Sequence, residues 1–310
     1  MLAARIDSPL AEAASTRPGT FAAYFESWIS NTKDQLDADL VNIPEPVTTV
    51  MLAFMKPDAL YPGNLQLSGT GLEFKYSGST LRDSILELRK RNPGIRVFVS
   101  IGGETYSRWD KLNAPAVAHF VDDFGLDGVD VDFEPPDPGC TQTGDSIRCR
   151  TDALLQRTVS ELRANLPKQV TLSLTCGATG AYGEGEWKHA GPKGGPDYGT
   201  AVQFLRSRTA RDINFLNIMA YDAGDSYNPL QALDAFKHYY TGPILLGFTP
   251  PPEDWGNHSY SSKEVNELLG AGVERGAAGA MLFSLRKGTG AGVFTSYVNV
   301  IAEIMKRSRS

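Results

Sequence analysis

LDGVDVDFEPP, residues 126–136, alternates three acids, Asp130, Asp132 and Glu134, with three apolar residues, Val129, Val131 and Phe133. Residues two apart on a strand face the same way. As a strand, this segment puts three carboxylates on one side and three apolar groups on the other. Asp127 opens it. Pro135-Pro136 closes it, because proline cannot continue a ladder, so Glu134 is expected at the strand's end. A calcium loop sets its acids around a glycine turn rather than between valine and phenylalanine. A solvated edge strand is the other plain reading, and the flanking sequence decides against it.

Seven more short apolar runs share its strand character: 21–28, 47–54, 95–101, 170–176, 213–221, 243–248 and 279–284. Segments of helical period lie between most of them, at 80–91, 152–166, 262–272 and 293–306. Strands alternating with helices argue for a parallel sheet. Eight such units in one chain of 310 residues predict an α/β fold, a (β/α)8 TIM barrel. A doubly wound sheet is the weaker alternative, since no GxGxxG follows the first strand. Residues 1–19 are expected to be a loose tail and 20–310 one domain. Segment 249–262 is too short to hold a large inserted subdomain.

A barrel gives the acidic stripe a purpose. Val129, Val131 and Phe133 suit the side facing the helices. Asp130, Asp132 and Glu134 then climb the inner wall toward the C-terminal mouth, where barrel enzymes keep their chemistry. Burying carboxylates costs several kcal/mol per unpaired ion, and acids packed this closely cannot all ionise freely, so at least one pKa should rise. A raised glutamate is what a general acid near neutral pH requires.

Asp127-Gly-Val-Asp130-Val-Asp132-Phe-Glu134 resembles the DGxDxDxE signature of glycoside hydrolase family 18, the chitinases and related endo-N-acetylglucosaminidases. Ser100-Ile-Gly-Gly103 resembles the SxGG motif that closes the family's third strand. Met219-Ala-Tyr221-Asp222 resembles its MxYD, and Gly279-Ala-Met281-Leu-Phe283 its GxMxW. YFESW, 24–28, is similar to its first strand, so the resemblance runs over about residues 20–305. Phe283 departs from the family's tryptophan, offering a smaller stacking face and no N–H donor.

The resemblance implies a retaining glycosidase that uses the substrate's own 2-acetamido group. In that scheme Glu134 is the general acid and base. Asp132 orients the acetamido N–H, and Asp130, below it, shares a proton or hydrogen bond with Asp132. Tyr221 holds the acetamido oxygen. Asp222 binds sugar hydroxyls or supports Tyr221, and Met219, Phe283, Tyr24 and Gly103 are expected to line the substrate site. Binding-only relatives replace the glutamate that this chain keeps at 134. That favours an endo-acting chitinase over a chitin-binding, lectin-like protein. An endo-β-N-acetylglucosaminidase acting on N-glycans shares every catalytic residue and stays open.

Asp127 reads as structural, bonding nearby backbone or Ser100. Gly102 and Gly103 read as close backbone packing. Aromatic candidates for stacking on sugars, by their place near strand ends, are Tyr24, Trp28, Tyr106, Trp109, Tyr182, Trp187, Trp255 and Phe283. The net charge of −6 argues against a nucleic-acid partner. No apolar run approaches a membrane span. The four histidines, His119, His189, His238 and His258, have no metal-ligand spacing, and no metal or cofactor is expected. A monomer acting on chitin or N-acetylglucosamine oligosaccharides is expected.

Cys140 and Cys149 flank a polar segment. They close a small loop if the turn brings their Cα atoms within about 4.4–6.8 Å, and otherwise stand as two free thiols. The disulfide is the expectation, and it implies an oxidising, secretory setting, although the first residues lack the apolar core of a signal peptide. Cys176, in TLSLTC, reads as a buried thiol.

Overall fold

The computed structural model describes residues 19–29, 36–193, 195–256, 258–287 and 291–308, side chains at 291 and 292 excepted. The expected tail thus lies, save Gly19, outside the described residues. Strands β1 (Thr20–Glu26), β2 (Thr49–Met55), β3 (Arg96–Gly102) and β4 (Gly128–Asp132) come first. A short hairpin, β5 (Thr141–Thr143) and β6 (Ser146–Arg148), follows. Then come β7 (Thr171–Gly177), β8 (Phe215–Met219), β9 (Ile244–Phe248) and β10 (Gly279–Leu282). All but the hairpin strands form a closed parallel ring in the order β1-β2-β3-β4-β7-β8-β9-β10. This is a (β/α)8 barrel.

The outer helices are α1 (Ala38–Val41), α2 (Gly78–Arg91), α3 (Ala114–Asp123), α4 (Asp152–Asn165), α5 (Val202–Arg206), α6 (Pro229–Tyr239), α7 (Ser262–Glu274) and α8 (Ala291–Arg307). Their starts are written locally. Ser77 caps α2, Asn228 caps α6 just before Pro229, and Ser261 with Glu264 forms a capping box on α7. Among the described residues no helix is long and apolar enough to cross a membrane.

Two apolar cores result. The larger lies between ring and helices and takes Val129, Val131 and Phe133, with Leu172 and Leu174 from β7. The smaller fills the ring with Ala22, Tyr24, Met51, Ala53, Phe98, Phe215, Leu245 and Met281. Strand period 2 sorts each strand between them. Strand β2 breaks that period. Its register against β3 shifts between Leu52 and Met55, with one residue more on β2, which is a bulge. Ala53 and Phe54 consequently both side with the inner core, while Met55 returns to the outer one.

A disulfide joins Cys140 to Cys149 across the base of the hairpin. Cys176 is buried and free, and burial pushes its thiol up.

Candidate active site

The ring interior is polar at mid-height. Asp130 is fully buried and collects hydrogen bonds from strands all round the barrel. Ser100 on β3 donates to it at 2.8 Å, Ser173 on β7 at 2.6 Å, the Tyr24 hydroxyl on β1 at 2.9 Å and the Asn217 amide on β8 at 3.3 Å. Thr175 lies 3.1 Å away. Pairing register puts Ser100 and Ser173 directly beside Asp130 on its two neighbouring strands.

Asp132, two residues up, is 2% exposed and far poorer in partners. Among the described residues its Oδ2 accepts only a long bond, 3.4 Å, from Tyr24, and its Oδ1 is buried with no partner. The two aspartates do not bond directly among the described residues; the Tyr24 hydroxyl bridges them. Burial raises both carboxyls. At Asp130 the serine, tyrosine and threonine hydroxyls oppose that rise by favouring the anion. At Asp132 the charges of Glu134 and Asp130 add to burial and hold the carboxyl well above its usual range. The two carboxyls titrate as a pair, with the hydrogen bonds to its anion concentrated on Asp130 and the charge repulsion on Asp132.

Glu134 stands at the mouth. The strand ends at Asp132, so Glu134 sits on the first irregular backbone beyond it rather than in the ladder. It is partly buried, and its carboxyl is pushed up to about 8, first by burial and then by the charges of Asp197, Glu104 and Asp222. Those charges are all acidic. Asp197 was not legible in the sequence. It lies on the loop after β7, and a Cβ on Gly177 would collide with its carboxylate. Gly177 pairs with Met219, so Asp197 rests on the rim between β4 and β8. Burial pushes it up to about 6.

Tyr221, just beyond β8, and Phe283, just beyond β10, continue the wall. Their rings stack with centroids 6.2 Å apart and an interplanar angle of 20°. Tyr221 is 6% exposed, and burial with the charges of Asp132 and Glu134 raises its hydroxyl. Phe283 stacks on Phe54 at 6.4 Å, and Phe54 on Trp28 at 5.9 Å. A row of four near-parallel rings thus crosses the mouth from Trp28 to Tyr221. Met219 packs against the inner core. Phe54 reaches this row because of the β2 bulge; a strict period would have turned it toward the helices.

Several sequence-based expectations need correction. Tyr24 is 0% exposed, so it belongs to the aspartate network and not to the substrate surface. Gly103 is buried under the Phe54 ring, 2.8 Å from where a Cβ would stand, and its N–H bonds the Asp132 carbonyl at 3.0 Å. It shapes the wall without lining it. Of the two partners expected for Asp127 the backbone one holds: it accepts from the Val97 N–H at 2.8 Å and from Arg89 at 2.7 Å, while Ser100 serves Asp130. Trp109, Tyr182 and Trp187 are core residues, 1%, 0% and 7% exposed. Trp28, Tyr106, Trp255 and Phe283 keep exposed surface. Asp222 turns its carboxylate to the Trp255 N–H, at 2.9 Å.

Comparison with known proteins shows the fold and the family. The family model for glycosyl hydrolases family 18 matches residues 20–250. Chitinase 1 of Aphanocladium album is 26% identical over 265 residues, 77% of this chain and 56% of that protein. The chain spans 22% to 56% of the length of three curated chitinases it matches. Among solved structures, a family 18 chitinase of Cycas revoluta in complex with (GlcNAc)3 superposes with a TM-score of 0.62 at 12% identity. It covers 94% of this chain and 100% of that one. A fungal endo-β-N-acetylglucosaminidase does so with 0.63 at 14% identity, covering 93% and 98%. The chain belongs to glycosyl hydrolases family 18.

Proposed function

We propose that this protein hydrolyses β-1,4-linked N-acetylglucosamine chains, chitin or its oligosaccharides, with retention and through the substrate's own acetamido group. The observation that carries this is the place of Glu134, part-buried two residues beyond Asp132 at the C-terminal end of β4, where burial and the charges of Asp197, Glu104 and Asp222 push its carboxyl up. An acid at about 8 holds a proton ready for a leaving oxygen.

The chemistry follows from the side chains. Glu134 passes its proton to the glycosidic oxygen as the bond from that oxygen to C1 breaks. The acetamido carbonyl oxygen of the same sugar forms a bond to C1, giving an oxazolinium ion with retained access to one face. Water then adds to C1 from that face while Glu134 takes back a proton, and the acetamido group is restored. Asp132 Oδ1, buried and unpartnered, is the acceptor left over for the acetamido N–H. In this reading Tyr221, whose hydroxyl makes no hydrogen bond among the described residues, donates to the acetamido oxygen. The hydroxyls around Asp130 favour its anion, and a charge there supports the cation that develops.

Only residues 249–261 separate β9 from α7, which leaves no room there for a large insertion over the mouth. An open groove suits cleavage within a chain. The disulfide supports secretion into an oxidising compartment.

The test is hydrolysis of chromogenic chitooligosaccharides by the wild type and by Glu134→Gln. The variant is expected to lose at least about a thousandfold in kcat/KM while still binding the oligosaccharide. Equal rates would remove Glu134 as the acid. The same two proteins assayed on chitin and on a high-mannose glycopeptide decide between chitinase and endo-β-N-acetylglucosaminidase.

A further inference from the structure

The hairpin of β5 and β6 stands outside the ring, and a two-stranded ribbon by itself is marginal in water. Its tip, Thr141–Thr143 with Gly144 and Asp145, is exposed. Its two strands bury one apolar side chain, Ile147, 2% exposed. Ile147 enters the loop that joins β7 to α5, residues 178–201. A Cβ on Gly183 or on Gly199 would collide with Ile147 Cδ1, and both glycines hold positive φ, 102° and 82°. The backbone of Ile147 is caught as well. Its N–H donates to Glu184 Oε1 at 2.9 Å, and its carbonyl accepts from Gln203 Nε2 at 2.8 Å. Glu184 is 3% exposed, an acid taken into the interior and paired there with Arg206. The Lys188 ammonium reaches Asp145 at 2.7 Å.

The same loop carries Asp197. Among the described residues no donor reaches its carboxylate, so the backbone beneath it decides where it stands. That backbone is pinned two residues on, at Gly199, whose N–H bonds the Thr179 carbonyl at 3.1 Å and whose bare Cα takes Ile147. On its other side Asp197 fills the place where Gly177 lacks a side chain. It thus lies between a notch in the ring and a plug from the hairpin. Cys140 follows Glu134 by six residues, and the Cys140–Cys149 disulfide closes the hairpin's base. The groups that act on Glu134 are Asp132 on β4, Glu104 beyond β3, Asp197 on this loop, and Tyr221 and Asp222 beyond β8, four acids and a tyrosine.

We propose that the disulfide-closed hairpin is a positioning device: Ile147, locked by Glu184, holds the loop between β7 and α5 so that Asp197 stays seated in the Gly177 notch at the barrel mouth. A hairpin outside the ring thereby helps to set how tightly Glu134 keeps its proton. This rests on reading Glu134 as the acid.

The experiment follows the carboxyl carbon of Glu134, assigned by its absence in Glu134→Gln, by carbon-13 NMR from pH 4 to 10. The alkaline limb of kcat/KM on a chromogenic chitooligosaccharide is measured beside it. Ile147→Ala is expected to move both toward acid by about half a pH unit, part of what losing the Asp197 charge gives. Ile147→Leu, which keeps the volume, should leave both near wild type. Cys140→Ser with Cys149→Ser should act as Ile147→Ala does, and carries the same test if Ile147→Ala does not fold. In an Asp197→Asn background Ile147→Ala should move neither further. Thermal melting confirms that each variant is folded. A Glu134 midpoint that stays in place in folded Ile147→Ala overturns the proposal, and so does a loss of rate at an unmoved limb, which is all that a structural role gives. A shift of equal size without the Asp197 charge overturns it too, because the hairpin then acts by another route. A wild type that hydrolyses no chitooligosaccharide, with a Glu134 midpoint that still moves in Ile147→Ala, overturns the hydrolase reading and supports the positioning device.

Discussion

Replacing Asp197 by Asn should move the alkaline limb of the pH–rate profile toward acid. Glu134 is pushed up from 4.5 to about 8. At pH 7 a group at about 8 is roughly 90% protonated, whereas one at 4.5 is roughly 0.3% protonated, so the environment raises the supply of acid about 300-fold. Burial is the largest cause, and Asp197 is the largest of the charges. Asn keeps the size of Asp197 and removes its charge. Glu134 then holds its proton less tightly, and the limb of kcat/KM should shift down by about one pH unit, the scale of one partly screened charge at short range. Glu104→Gln, the next charge in rank, should move it less and in the same direction. The assay is kcat/KM on a chromogenic chitooligosaccharide from pH 4 to 10, compared by the position of the limb and not by its height. A limb that stays in place, or moves to higher pH, refutes the electrostatic account of Glu134.

Raised carboxyls also tie stability to pH. Glu134, Glu253 and Asp197 sit at about 8, 7 and 6 in the fold, above their ordinary values of 4.5, 4.5 and 3.8. The folded state therefore binds these protons more tightly than the unfolded chain. Their contribution is whole below pH 4 and is lost as pH rises through 6 to 8, so the melting temperature should fall across that window. Glu134→Gln, which has no proton to lose, should flatten the fall, and a steeper fall in differential scanning fluorimetry would contradict the assignment. Gly102→Ala should cost about 3 kcal/mol in a urea titration. The residue has φ 103°, and a Cβ would strike the Trp109 ring and the Asp132 carbonyl. A loss below about 1 kcal/mol would show that this wall yields.

The eight barrel strands and the inward aspartates were legible because each rests on a local pattern. Alternation along 128–134 separates two faces whatever surrounds them, and the proline pair marks the end to within two residues. The same signal stood unread in Thr171, Ser173 and Thr175, which alternate with Leu172, Leu174 and Cys176 and supply two of the groups around Asp130. Helices α3 and α6 were not drawn from the sequence. In α3, Ala114, Ala116, Val117, Phe120 and Val121 are all buried, which leaves little contrast between its faces.

What the sequence determined by itself is therefore the barrel, the order of its strands and the column from Asp130 to Glu134, since period and punctuation are properties of neighbouring residues. Tertiary structure decided the rest. Tyr24 became a bridge between aspartates because β1 happens to face β4 across the ring. Phe54 entered the aromatic row through a bulge that no period announces. Asp197 reached the rim from a loop 63 residues along the chain from Glu134, against a glycine that leaves it room. Each of these depends on contacts between segments far apart in sequence, and the free energy that selects them is shared among strands that no single stretch contains.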